Sequence, residues 1–119
     1  MKKIYHLSTC TTCKRIIKEL NLNDDVALQD IKSNPITEVQ LDELKTMAGS
    51  YEALFSKRAQ LYKSKGLKDK VLTEADFKNY VLEHYTFLKR PVMLFDDQIF
   101  IGNSAKTVAD AKAYLSAHD

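Results

Sequence analysis

The sequence predicts an α/β protein in which a four-stranded mixed sheet is assembled in the order β-α-β, a run of helices, then β-β-α. Three observations predict it. An alternating N-terminal segment leads into an amphipathic helix and out into a second strand, the middle of the chain is patterned at helical spacing, and a hydrophobic hairpin precedes one last helix.

Residues 3–8 (Lys-Ile-Tyr-His-Leu-Ser) alternate polar and apolar, the period of a strand ending at Ser8. From Thr11 to Leu20, Ile16, Ile17 and Leu20 share one face of a helix while Lys14, Arg15, Lys18 and Glu19 point outward, and Ser8, Thr9 and Cys10 are the candidate N-caps. Asn21–Asp24 breaks the helix, and Val26 to Ile31 reads as a second strand. A βαβ unit of this kind pairs its two strands in parallel. Pro35 closes it, and Thr37 with Gln40 forms a capping box for a helix through Leu41, Leu44 and Met47, which Gly49-Ser50 ends. Tyr51 to Tyr62 reads as helical, and Thr73 caps a further helix carrying Phe77, Val81, Leu82 and Tyr85. Met47, Phe55, Phe77, Val81 and Phe87 are expected in the core, and His84 and His118 at the surface. After Arg90-Pro91, Val92–Phe95 and Ile99–Ile101 flank a polar turn and form a hairpin. Ser104 caps the closing helix through Val108, Ala111 and Leu115.

The 119 residues suit one domain spanning 1–119, with a helical insertion at about 37–85. A chain that is 45% hydrophobic with only three Gly and two Pro is neither disordered nor collagenous. Its longest apolar run, Pro91 to Phe95, is far short of the roughly 20 residues that span a bilayer, and no signal peptide is expected, so the predicted location is cytoplasmic without membrane attachment. The net charge of +2 does not argue for nucleic acid. Charge is nonetheless uneven. Residues 23–44 carry Asp24, Asp25, Asp30, Glu38, Asp42 and Glu43 against Lys32, whereas residues 56–70 carry Lys57, Arg58, Lys63, Lys65, Lys68 and Lys70 against Asp69. The basic stretch reads first as a solvated surface and second as a contact for nucleic acid or an acidic partner.

The two cysteines hold the chemistry. Cys10-Thr11-Thr12-Cys13 lies where the first strand passes into the first helix, so Cys10 meets unpaired amides and the positive end of the helix dipole, which favour a thiolate. Lys14 and Arg15 add positive charge nearby. Cys13 lies one turn on, close enough to attack a mixed disulfide formed at Cys10 and release the substrate. A zinc site is disfavoured because His6, His84 and His118 do not stand at zinc-finger spacing, and inert thiols are disfavoured by the helix terminus. His6 reads as a core or edge residue rather than a base. Pro91 could be an ordinary trans proline at a strand start.

The pattern resembles the thioredoxin superfamily, and within it the arsenate reductase-like branch, which includes glutaredoxin-coupled arsenate reductases and the redox-controlled transcription regulator Spx. The resemblance covers essentially the whole chain. It rests on the first strand running into Cys10-Thr-Thr-Cys13, the helical insertion, Leu88-Lys89-Arg90-Pro91-Val92, and the hairpin followed by Ile101-Gly102-Asn103. It implies a thioredoxin/glutaredoxin-like fold, with Cys10, Cys13 and Arg90 catalytic and with Thr11, Thr12, Lys14, Arg58 and Pro91 binding substrate. Pro91 is thereby implied to be a cis-proline opposite the active-site cysteine, and Arg90 to bind an oxyanion or stabilise a thiolate. The implied activity is that of a thiol-disulfide oxidoreductase acting on a small thiol or a disulfide-bearing protein. No bound cofactor or metal is implied; glutathione, glutaredoxin or thioredoxin would donate electrons.

A second implication is an Spx-like redox sensor that binds RNA polymerase; Arg58 matches an arginine of that regulator's central region, although Gly49 falls one position off the glycine with which Spx contacts the polymerase. A glutaredoxin-coupled arsenate reductase is the third implication, although two arginine positions of the plasmid-borne enzymes fall at Ser56 and Gly102 here.

Overall fold

The computed structural model describes residues 1–118. It contains β1 (Lys2–His6), α1 (Thr11–Leu20), β2 (Val26–Asp30), α2 (Glu38–Ala48), α3 (Gln60–Ser64), α4 (Glu74–Glu83), β3 (Val92–Phe95), β4 (Gln98–Ile101) and α5 (Ala105–Ala117), with single 3-10 turns at Glu52–Leu54, Leu67–Asp69 and Tyr85–Phe87. The four strands form one sheet in the order β2-β1-β3-β4. β1 pairs β2 in parallel, with Ile4 opposite Leu28 and His6 opposite Asp30, and pairs β3 antiparallel, with Ile4 opposite Met93. This mixed sheet with its interspersed helices is the expected thioredoxin/glutaredoxin-like α/β fold.

The chain divides into two compact units: Met1–Asn34 together with the chain from Arg90 onward, and Pro35–Lys89. The first holds the sheet. Its core joins Ile4, Met93 and Phe95 from the strands, Ile16 and Leu20 from α1, and Val108 and Ala111 from α5, all nearly or wholly withdrawn from water. Burying each large aliphatic or aromatic side chain contributes on the order of 1.5–3 kcal/mol, so this cluster anchors α1 against the sheet. The hairpin turns through Asp96 at φ 59, and its carboxylate receives the N-terminal amine at 3.0 Å and the Tyr114 hydroxyl at 2.9 Å.

In the Pro35–Lys89 unit the Thr37/Gln40 capping box is present, as is a second one, Thr73 with Asp76, at the start of α4. Each such cap satisfies amides that the helix cannot, worth about 1 kcal/mol. Phe55 lies 4.9 Å from Phe77 and 5.3 Å from Phe87, ring centroid to centroid, at the centre of an aromatic cluster.

Several boundaries differ from the sequence reading. Tyr51–Tyr62 is not one helix: after the turn at Glu52–Leu54 the chain extends at Phe55, which bridges Leu88, and α3 begins only at Gln60. The amide of Ser56 donates to Phe87 O at 2.7 Å and that of Lys89 to Leu54 O at 2.8 Å, so tertiary pairing overrides local helical pattern. β1 ends at His6 rather than Ser8, and β2 at Asp30 rather than Ile31. Met47 is only partly buried, whereas Phe55, Phe77, Val81 and Phe87 are buried as expected. His118 is exposed, but His84 is half-buried and its Nδ1 accepts the amide of Thr86 at 3.1 Å, capping the following turn.

Candidate functional site: the thiols at the start of α1

After β1 the chain turns through Leu7, Ser8 and Thr9, and Cys10 occupies the N-cap position of α1 in an extended conformation, φ −89 and ψ 115. The Cys10 amide donates to Leu7 O at 2.9 Å, and Lys14 donates its amide to Cys10 O at 3.1 Å. The Cys10 thiol makes no capping hydrogen bond. Ser8 is drawn away instead, its hydroxyl donating to Asp30 Oδ2 at 2.6 Å and its amide to Asp30 Oδ1 at 3.3 Å. The first-turn amides are thereby left to face sulfur.

Both cysteines are free thiols, Cys10 partly exposed and Cys13 fully buried. Partial burial works to raise the Cys10 pKa, yet it is outweighed: the Cys13 and Thr12 amides, the Cys13 thiol and the positive charge of Arg90 all favour the Cys10 thiolate, and the net direction is down. Cys13 goes the other way. Burial, helped by the neighbouring Cys10 sulfur, pushes it up to about 11, against the Leu7 amide and Arg90, which both favour its ionised form. Two chemically identical side chains three residues apart are therefore unlike in environment: one is partly exposed and ionises more readily than an ordinary thiol, the other is buried and holds its proton more tightly.

Arg90 is half-buried, joined to Pro91 by a cis peptide bond, and its charge acts on both sulfurs. Lys14, by contrast, is exposed, and Arg15 turns to Glu19 at 3.6 Å, whereas the charge of Arg90 favours the ionised form of both thiols. Pro91 is buried, and its carbonyl accepts the amide of Gly102 at 2.9 Å. Thr11 is exposed and Thr12 half-buried on the first turn. Arg58 is exposed in the turn before α3, within the Pro35–Lys89 unit. Burial lowers the pKa of His6, at the end of β1, against the pull of Asp30.

Among the described residues no three His, Cys, Asp or Glu side chains converge as metal ligands, and no helix is long and apolar enough to cross a membrane. A groove of about 160 Å³ lies at the far end of α1, lined by Leu20, Asn21, Val26, Lys112 and Leu115 among others; neither cysteine borders it.

Asp30 is the participant that sequence reading missed. The signal was available: in a βαβ unit the C-terminal ends of both parallel strands emerge at one edge of the sheet, so a carboxylate closing β2 lies next to the loop that follows β1.

Comparison with known proteins agrees with this fold. The model of the ArsC family matches residues 5–111. The global transcriptional regulator Spx 2 of Bacillus anthracis is 29% identical over 108 residues, covering 86% of this chain and 79% of the regulator. A Streptococcus mutans protein described as a possible arsenate reductase is 29% identical in sequence and superposes with a TM-score of 0.72, covering 92% of this chain and 98% of its own. The arsenate reductase of Vibrio cholerae, 20% identical, superposes at 0.77 over 92% of this chain and 96% of its own, a likeness of fold.

Proposed function

Given that the chain belongs to the ArsC family, we propose that it is a thiol-based redox sensor of the Spx kind, in which oxidation of Cys10 and Cys13 to a disulfide changes the affinity of the protein for RNA polymerase. The observation that supports this most is the inequivalence of the two thiols, one with lowered pKa and one raised to about 11, at the start of a single helix. The 29% identity to Spx 2 favours a regulator.

The inequivalence orders the chemistry. The Cys10 thiolate attacks an oxidant such as glutathione disulfide, forming a mixed disulfide and expelling one glutathione thiolate. Neutralising Cys10 removes the neighbouring charge that helps hold the Cys13 proton, while Arg90 remains, so Cys13 ionises more easily once the first step is complete. Cys13 then attacks the Cys10 sulfur and expels the second glutathione thiolate. Two thiols have become one disulfide, and one glutathione disulfide has become two glutathiones. Within this reading Arg90 favours the thiolate, Thr11, Thr12, Lys14 and Pro91 border the incoming thiol, Arg58 faces the partner, and Pro35–Lys89 is an insertion in one thioredoxin-like domain.

The same thiol asymmetry favours a second reading, a thiol-disulfide oxidoreductase with Cys10 as nucleophile and Cys13 resolving, fed by glutathione, glutaredoxin or thioredoxin. Binding of purified host RNA polymerase to the reduced and the oxidised protein decides between them. A clear difference between the two forms, lost in Cys10→Ser, is expected. Equal or absent binding together with steady turnover on a disulfide substrate would select the oxidoreductase.

A further inference from the structure

We propose that Asp30 is a positioning residue for both thiols, acting through Ser8 to hold the loop that presents Cys10 and covers Cys13. The proposal rests on the reading of Cys10 and Cys13 as a redox pair and adds to it the group that sets their geometry.

The register of the parallel pair puts Asp30 opposite His6, so its carboxylate emerges beside the first residues after β1. There it accepts four hydrogen bonds: from the Ser8 amide at 3.3 Å and hydroxyl at 2.6 Å, from the Lys32 amide at 3.2 Å and from the Ser33 hydroxyl at 3.2 Å. Two of the four come from one residue, which fixes Ser8 in orientation as well as in place. Leu7 precedes it directly. The Leu7 carbonyl receives the Cys10 amide at 2.9 Å, and the Leu7 amide favours the ionised form of Cys13. Just upstream, the His6 carbonyl receives the Ile31 amide at 2.9 Å, tying the loop to β2 a second time. A displacement of Ser8 therefore moves Leu7, and a displacement of Leu7 alters the surroundings of both sulfurs. The hydroxyl and amide donors hold the Asp30 carboxyl near 2, so the tether is fully ionised at neutral pH.

Position and charge make opposite predictions, which gives the test its sign. Were Asp30 acting only as a negative charge, its removal would favour the Cys10 thiolate, and Ser8→Ala would change nothing. If it acts through position, loosening the loop takes amides away from the sulfur and disfavours the thiolate in both variants. The experiment is the pH dependence of iodoacetamide alkylation at Cys10 in Ser8→Ala, Asp30→Asn and Asp30→Ala, each with Cys13 replaced by Ser and compared with Cys13→Ser alone. The expected result is alkylation about threefold slower below the thiol midpoint in Ser8→Ala and Asp30→Ala, with Asp30→Asn between them and the parent because it keeps one carbonyl acceptor. Ser8→Ala trims a single exposed hydroxyl and keeps the question answerable should Asp30→Ala fail to fold. A profile unchanged in Ser8→Ala, or faster alkylation in folded Asp30→Asn, would overturn the proposal. Alkylation needs neither polymerase nor a disulfide, so it reads the geometry even if the sensor reading fails.

Discussion

Gly102, at the end of β4, donates its amide to the carbonyl of Pro91 at 2.9 Å and does so at φ +94. The bond ties the segment that carries Arg90 to the neighbouring strand. Beyond its two chain neighbours, no described atom lies within 4 Å of where a Cβ would stand, so the constraint on this position comes from backbone conformation and not from crowding. Gly102→Ala should accordingly lower stability by about 1 kcal/mol without a steric clash, read as a fall in the thermal midpoint. An unchanged midpoint would mean that the loop reorganises at no cost.

The same angle bears on arsenate. Binding an oxyanion calls for several fixed cationic donors, ideally arginine forks. Position 102, which the family resemblance matches to an arginine of the plasmid-borne reductases, has a backbone that side chains rarely adopt. Arsenate turnover should be weak or absent, and Gly102→Arg should not install it. Steady-state reduction at the rate of a dedicated arsenate reductase would sink this expectation.

Arg90 weighs on both sulfurs in the same sense. Arg90→Ala should raise the Cys10 pKa, shifting its alkylation profile to higher pH while the circular dichroism spectrum stays native. A folded variant with an unshifted profile would assign Arg90 to structure alone.

The two cysteines should separate cleanly in trapping. Cys13→Ser retains the ionisable thiol and loses the resolving one, so oxidised glutathione should leave a persistent adduct visible by mass spectrometry. Cys10→Ser keeps only a fully buried thiol, which burial still holds above the ordinary thiol range, and should remain unmodified at neutral pH. Labelling of both variants to the same extent, or preferential labelling at Cys13, would reverse the assignment of roles.

Acid should loosen the Ser8 tether within a defined window. The Asp30 carboxyl is lowered from 3.8 to about 2, chiefly by the Ser8 hydroxyl, so the folded state binds its proton later than the unfolded chain does. Its contribution is complete above about pH 4 and is lost as pH falls toward 2. Hydrogen exchange at the Ser8 and Cys10 amides should lose protection across that interval in the parent and be independent of pH there in Asp30→Asn.

The sequence by itself determined the order of elements, the capping box at Thr37, the cap at Thr73, and the placement of a Cys-x-x-Cys pair at a helix start, because each depends on residues within one or two turns of each other. Periodicity found α1 to the residue for the same reason. Only the tertiary structure decided the rest. The chain from Tyr51 to Tyr62 carries a helical pattern, yet Phe55 extends to bridge Leu88, 33 positions later, a pairing that no local window contains. Sequence neighbours point to Lys14 and Arg15 as the cations for the thiols; Arg90, some 80 residues from Cys10 and reached in the sequence only through the family resemblance, is the one whose charge acts on both sulfurs. Asp30 meets Ser8 because two parallel strands end at the same edge of the sheet. Local propensity fixes which residues can stand at a helix terminus; long-range packing fixes which charges and hydrogen-bond acceptors surround them, and those surroundings separate the reactivities of Cys10 and Cys13.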